Sequence, residues 1–231
     1  MPIWVYILVG AVVVGCIGLA LYWQLVVAEG AYLGPRVVAL LYDWFAPHYD
    51  RVKQFDKTGD ALMLAMPIMK HLSASGISCP LVLDVATGTG RLPDALLSQW
   101  RFRGRIVALD LSRRMLHRAQ TKLVAHAGRV AFMRHDAQRL PFDADAFDVV
   151  TCLEALEFMR DWRAAVREMV RVLKPGGLLM VSNRIGPDAW KLPGRTLPTQ
   201  AFAAWLHELG LRDVQPQPWL VDYDLVTGVK P

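Results

Sequence analysis

The sequence predicts an α/β fold, a doubly wound and mostly parallel sheet, preceded by one transmembrane helix. Three observations carry that expectation. The first is LVLDVATGTG at 81–90. Leu81, Val82, Leu83 and Val85 read as a buried strand, Gly88 and Gly90 as a turn through which backbone approaches a ligand closely, and LPDALLSQW as the following helix. The second is IVALD at 106–110, a second strand ending in Asp110, twenty residues past Gly90, where a carboxylate can accept both hydrogen bonds of a ribose diol. The third is the segment 1–28, which has no Asp, Glu, Lys, Arg or His side chain; the first charged residue is Glu29.

Segment 1–28 is long enough to span a bilayer, which takes about 20 apolar residues. Trp4 and Tyr6 lie near one end and Tyr22 and Trp23 near the other; Trp4 and Trp23 are about 28 Å apart on a helix and read as interfacial anchors. A cleaved signal peptide is the rival reading, with Val26-Val27-Ala28 as cleavage context, but no basic stretch precedes the apolar run and that run is too long. Arg36, Arg51 and Lys53 follow the span and no Lys or Arg precedes it, so the chain is expected to be a single-pass membrane protein with its main domain in the cytoplasm. Ala11, Gly15 and Gly18 form a small-residue stripe that permits a transmembrane helix partner.

Residues 29–75 read as a linker, 29–35, followed by the helical stretch RVVALLYDWFAPHYDRV with a break at Pro47. That stretch either caps the domain or lies on the bilayer surface with Trp44 and Phe45 among the headgroups. Residues 76–231 read as the main domain, with strands at 81–86, 105–109, 130–134, 147–152 and 177–182 and helices near 91–100, 112–125, 160–173 and 199–209. Lys174-Pro175-Gly176-Gly177 stops the helix before the fifth strand, and the final segment reads as two strands around Pro218.

Composition narrows the function classes. The hydrophobic share of 54% is lifted by the apolar segment, and three cysteines, with Cys16 inside the span, offer no disulfide framework. No Cys/His spacing suggests a metal. The net charge of +5 is uneven: between Arg91 and Arg129 nine basic side chains face two acids, which predicts a basic edge suited to anionic lipid. No nucleic-acid partner is expected, since no aromatic-interleaved groove accompanies those charges.

The glycine-rich turn departs from the dinucleotide fingerprint. The run Gly88-Thr89-Gly90-Arg91-Leu92-Pro93 lacks the third glycine of G-x-G-x-x-G, and Asp84 lies where a pyrophosphate would be repelled and a cationic amino-acid moiety welcomed. Both departures point to S-adenosylmethionine. LDVATGTGR (83–91), ALDLS (108–112), RHDAQRLPFDADAFDVV (134–150) and RVLKPGGLLMVSN (171–183) stand in the order of the motifs of class I S-adenosylmethionine-dependent methyltransferases, and 81–230 resembles the members acting on quinones, lipids and other small molecules.

The resemblance implies a seven-stranded Rossmann-like sheet of order 3-2-1-4-5-7-6. It also implies cofactor contacts from Gly88 and Gly90 to the methionine and ribose portions, from Asp84 to the amino group, from Asp110 to the ribose hydroxyls, from Leu111 to the adenine, and from Asp136 with Ala137 to the adenine edge. Ala86, where the family often has glycine, would tighten the space beside the methionine. Asp110 and Asp136 alternatively cap the helix or turn after their strands. A Tyr49-Asp50 pair resembles the family's closing cap. His48, Tyr49 and Glu154 are the candidate catalytic residues, with Glu157, Asn183 and Arg184 nearby at strand ends. The expected protein is a membrane-anchored methyltransferase acting on a lipophilic or membrane-proximal small molecule, quinone-like or lipid; the alternative is a methyltransferase-like accessory subunit of a membrane complex with little or no turnover.

Overall fold

Apolar runs without alternation become strands buried on both faces, and β1 (Leu81–Val85) and β4 (Phe147–Cys152) are the two such strands at the centre of the sheet. Around them, β2 (Arg105–Asp110), β3 (Val130–Arg134) and β5 (Leu173–Arg184) pair in parallel, and β6 (Arg212–Leu220) with β7 (Tyr223–Val229) adds an antiparallel hairpin. The order is β3-β2-β1-β4-β5-β7-β6, the order the resemblance implies. The computed structural model describes residues 2–231, so Met1 of the expected span lies outside the described residues.

Helices cover both faces. In chain order they are α1 (Ile3–Tyr22), α2 (Pro35–Lys53), α3 (Lys57–Asp60), α4 (Met66–Ala74), α5 (Arg91–Leu97), α6 (Arg113–Lys122), α7 (Trp162–Val172), α8 (Gly186–Trp190) and α9 (Thr199–Glu208). One core packs Val166 and Met169 of α7 and Phe202 and Leu206 of α9 against Leu83, Val150 and Leu179. The other packs Ile68 of α4 and Leu92 and Leu96 of α5 against Val82, Ile106 and Met180. A parallel sheet covered on both faces presents its functional end at the carboxyl edge of its strands.

Three local readings are corrected by tertiary context. The expected break at Pro47 does not occur: α2 runs through it. Proline removes one N–H and frees the carbonyl four residues earlier, and here the freed Asp43 carbonyl accepts from Arg114 Nη1 at 3.5 Å. Pro218 does not mark the hairpin turn. It pairs with Asp224 inside β6, and the chain turns at Val221 and Asp222. β6 is an edge strand, which tolerates a missing donor. Two members of the basic stretch from Arg91 to Arg129 do not belong to the expected basic edge: Arg91 turns inward to Asp60, and Arg129 donates to the carbonyls of Phe102 and Gly104.

The apolar segment forms a helix from Ile3 to Val27, long and apolar enough to cross a membrane and with none of its apolar window buried against the rest of the chain. α1 ends in a π turn, Trp23–Val27. The expected linker is a packed turn. Ala28 and Ala31 are fully buried against Phe158 and Leu192, and Trp23 stacks on Tyr32 at 5.2 Å. Arg195 Nη2 donates to the Ala31 carbonyl at 2.7 Å, and Tyr42 donates to the Glu29 carboxylate at 2.8 Å. Ala31→Asp would put an unpaired carboxylate into this contact. It is expected to cost about 2–4 kcal/mol, read as a fall of roughly 5–12 °C in the Tm of the detergent-solubilised protein.

Candidate functional site

The turn after β1 builds the floor of a cleft at the carboxyl ends of β1, β2 and β4. Ala86 (φ 56°) and Gly88 (φ 55°) both take left-handed backbone, which a glycine adopts freely and an alanine only at a cost of about 1–2 kcal/mol. The cleft, about 110 Å³, is lined by Ala86, Gly88, Asp110, Leu111, Asp136 and Ala137, six of the eight expected cofactor residues. Asp84 lies behind the turn, and a smaller recess joins it to Ala86, Thr87 and Gly88. Gly90 lines neither space. A Cβ there would stand 3.0 Å from Leu123 and 3.3 Å from Ala119, so Gly90 serves the packing of α5 beside α6.

Asp110 is fixed by backbone on both oxygens: Oδ2 accepts from the Gly88 N–H and Oδ1 from the Ser112 N–H, each at 2.8 Å. Burial raises its pKa, opposed by these bonds. Asp136 is similarly held by the backbone N–H and side-chain amide of Gln138. Each aspartate thus does close its local turn, as the alternative reading supposed, while also lining the cleft. Asp84 accepts from the Thr151 hydroxyl at 2.7 Å, and burial pushes its carboxyl up to about 6.

The site fits S-adenosylmethionine by chemistry and by an orphaned atom. A buried carboxylate suits an ammonium, Asp110 suits a diol, and Leu111 with Ala137 gives an apolar seat for a purine. The Thr87 hydroxyl is buried without a hydrogen-bond partner in the recess beside Asp84.

α2 closes this cleft from above. Asp43 accepts from the Ser112 hydroxyl at 2.5 Å and the Arg114 N–H at 2.9 Å, at the amino end of α6. Two turns on, Asp50 accepts from the Thr89 hydroxyl at 2.5 Å and pairs with Lys122 at 3.2 Å. Tyr42 and Tyr49, seven residues apart on one face, therefore point down into the cleft. The same continuity turns His48 outward: it is exposed and lines none of the cavities described here, against its expected catalytic place.

Beyond the cleft lies a wide, mostly apolar cavity of about 680 Å³. Tyr49 and Glu154 line the cleft, the recess and this cavity alike, and so stand at their junction. An ideal Cβ at Gly88 would lie 4.0 Å from the Tyr49 hydroxyl, which places that hydroxyl beside the cofactor turn. Burial, with the nearby Glu154 and Asp110 charges, raises the Tyr49 pKa far above its ordinary value, so the phenol is a neutral donor and not a base. Glu154 takes left-handed backbone (φ 50°), its N–H donates to the Ser182 hydroxyl, and its carboxylate accepts from Arg91 at 2.5 Å and Lys53 at 2.6 Å.

Sequence reading missed Arg91, whose guanidinium binds Asp60 and Glu154 and lies over the rings of Phe55 (4.7 Å) and Trp219 (4.6 Å). Arg91 stands at a position the fingerprint leaves free, and its partners Asp60 and Glu154 are remote in sequence, so no local signal marked it. Tyr42 was missed because its place over the cleft depends on Asp43 and Asp50 meeting partners remote in sequence. Glu157 is buried deeper, accepting from Tyr223 and from Arg184 at 3.4 Å, and burial raises the pKa of both Glu157 and Tyr223. Arg184 lines the wide cavity, whereas Asn183 donates to the Leu197 carbonyl and stays outside it.

Residues 82–177 match the family described as methyltransferase domain. Among curated proteins, demethylmenaquinone methyltransferase of Lactiplantibacillus plantarum is 35% identical over 152 residues, 64% of this chain and 62% of that protein. The ubiquinone/menaquinone biosynthesis C-methyltransferase UbiE of Syntrophotalea carbinolica is 30% identical over 141 residues, 61% of this chain and 58% of that protein. The matched segment thus spans about 60% of the length of these relatives. Among solved structures, the [4+2]-cyclase SpnF superposes with a TM-score of 0.69 at 19% identity, over 86% of this chain and 96% of its own. A Methanococcus maripaludis protein described as a putative S-adenosylmethionine-dependent methyltransferase superposes with 0.61 at 19% identity, over 81% and 93%.

Two outcomes test the cleft. Asp110→Asn keeps an acceptor for one of the two backbone N–H groups while removing the charge, so the protein should remain folded and lose about ten- to a hundredfold in S-adenosylhomocysteine affinity by calorimetry. Asp143→Ala, in the turn before β4, should bind as the parent does. The second outcome concerns pH. The raised Asp84 pKa means that the empty site favours the neutral carboxyl: its contribution to stability is complete below about pH 4 and is lost as pH rises through about 6. A bound ammonium favours the carboxylate instead. Affinity for S-adenosylhomocysteine should therefore rise as pH increases through about 6, and Asp84→Asn should flatten that rise; an unchanged profile would remove Asp84 from the ammonium site.

Proposed function

We propose that this chain, which carries a class I S-adenosylmethionine-dependent methyltransferase domain, is a membrane-anchored enzyme that methylates a lipophilic small molecule with a quinol- or phenol-like ring. The observation that carries this reading is the meeting, at Tyr49 and Glu154, of a narrow cleft whose floor carries Asp110 and Asp136 and a wide, mostly apolar cavity. A cofactor in the first and an acceptor in the second would meet along that boundary, which Tyr42 and Phe158 also line. The relatives named for quinone methylation support the ring class, and the helix from Ile3 to Val27 supports the anchor.

Bound S-adenosylmethionine would supply an already activated methyl group. The protein's remaining work is orientation of the nucleophile and control of its proton. Tyr49, neutral at working pH, donates to the acceptor's ring oxygen and fixes the ring plane. Lys53, held by Glu154 at 2.6 Å, offers positive charge to the same oxygen as that oxygen gives its proton to solvent water. Glu154 is matched by two cations and acts chiefly by positioning Lys53 and Arg91. A like-minded soluble enzyme would need no anchor; a lipophilic acceptor gives the anchor a purpose, since it confines enzyme and substrate to one surface.

The test is transfer of labelled methyl from S-adenosylmethionine into a total membrane-lipid extract and into a reduced demethylated naphthoquinone carrying an isoprenoid tail. A labelled lipid-soluble product is expected. Tyr49→Phe should lower kcat by about ten- to a hundredfold and leave S-adenosylhomocysteine affinity within about threefold. Folded protein that binds cofactor, yet labels no lipid in either assay, would favour the accessory-subunit reading.

A further inference from the structure

We infer that the wide cavity opens sideways into the lipid bilayer, with the end of α1 as one of its walls, so that a tailed acceptor enters from the membrane and leaves its tail in lipid. This rests on the reading of α1 as a membrane anchor. Leu25, Val26 and Glu29, at the end of the apolar helix, line the same cavity as Tyr49 and Glu154 at the junction. The anchor is therefore part of the site and not a tether beside it.

The connection is also stiff. Ala28 and Ala31 are buried against Phe158 and Leu192, and Glu29 is bonded to Tyr42, whose ring meets the Phe158 ring at 6.0 Å. A hinge would need exposed, uncontacted backbone here; the chain instead has a packed turn. Wherever the membrane holds the end of α1, it also holds the mouth of the cavity.

Helix length sets that depth. The helix has 25 residues from Ile3 to Val27; at 1.5 Å per residue that is about 37 Å, against a hydrocarbon core of about 30 Å. Leu25 and Val26 thus fall at the boundary between acyl chains and headgroups. The rim at that level is apolar and uncovered: Val221 at the β6–β7 turn is 94% exposed, Trp44 is 77% exposed and Val52 63%. On α2 the outward face runs Arg36, Leu40, Trp44, Pro47, Arg51, with cations flanking the apolar middle, the arrangement expected of a helix at an anionic lipid surface. Two elements far apart in sequence, α2 and the β6–β7 turn, carry exposed apolar residues on the one side where the anchor emerges. Trp100, by contrast, is 75% exposed but precedes β2, at the opposite, amino-terminal edge of the parallel strands.

The experiment uses the full chain in vesicles of phosphatidylcholine and phosphatidylglycerol, with p-benzoylphenylalanine placed singly at Val221, Trp44, Val12 or Trp100. Lipid adducts are counted by mass spectrometry after illumination. Val221 and Trp44 should form lipid adducts within about threefold of Val12, in the middle of α1, and Trp100 should stay at background. Adducts at Val12 alone would overturn the sideways opening while leaving the anchor intact. Failure at Val12 would remove the anchor reading and this inference with it. Cross-links from Val221 and Trp44 to polypeptide in place of lipid would assign the rim to a protein partner and overturn the inference as well. Each variant must still bind S-adenosylhomocysteine; one that does not is replaced by the neighbouring position, Leu220 or Leu40.

Discussion

Two carboxylates on one helix, Asp43 and Asp50, decide how this site is built. Asp43 takes the hydroxyl and backbone donors at the amino end of α6, where the helix dipole favours negative charge. Asp50 ties the next turns of α2 to Thr89 in the loop after β1 and to Lys122 at the far end of α6. Neither bond is long-lived alone at the surface, but each is a charge-assisted contact in a partly buried place, and together they fix both position and rotation of α2. Tyr42 and Tyr49 then face the cleft and Trp44 faces away. Without these two anchors the helix would have no reason to lie over the cofactor turn.

A second constraint acts where cleft and cavity meet. Arg91, Asp60 and Glu154 are nearly buried, with side-chain exposures of 12%, 6% and 9%, and Lys53 completes the group. Removing one member of such a network leaves an uncompensated charge, at a cost of about 3–5 kcal/mol. The network holds Glu154 in left-handed backbone where all three spaces meet.

The scaffold by itself does not choose the chemistry. A solved cyclase and a solved methyltransferase-type protein superpose on this chain with similar TM-scores, 0.69 and 0.61, as expected of a fold that hosts many reactions. What distinguishes this chain is the combination of the cleft's aspartates with a large apolar cavity whose wall includes the end of an apolar helix.

Strand periodicity, the glycine turn and the aspartates at strand ends are local in sequence, and for that reason the sequence alone determined the strands, the parallel α/β class, the long apolar helix and most of the cleft-lining residues. The strand order came with the family resemblance, since periodicity carries no information about which strands are neighbours. Tertiary structure decided the rest. Pro47 continues the helix while Arg114, sixty-seven residues later, reaches the carbonyl it frees, and that continuity turned Tyr49 inward and His48 outward. Pro218 could sit in a strand only because β6 is at the sheet's edge. Arg91 joined a buried network and not a basic edge because Asp60 and Glu154, distant in sequence, converge on it. Residues 29–35 became a wall because Phe158 and Leu192 lie beneath them. In each case the deciding partner is remote in sequence, and local pattern has no access to it.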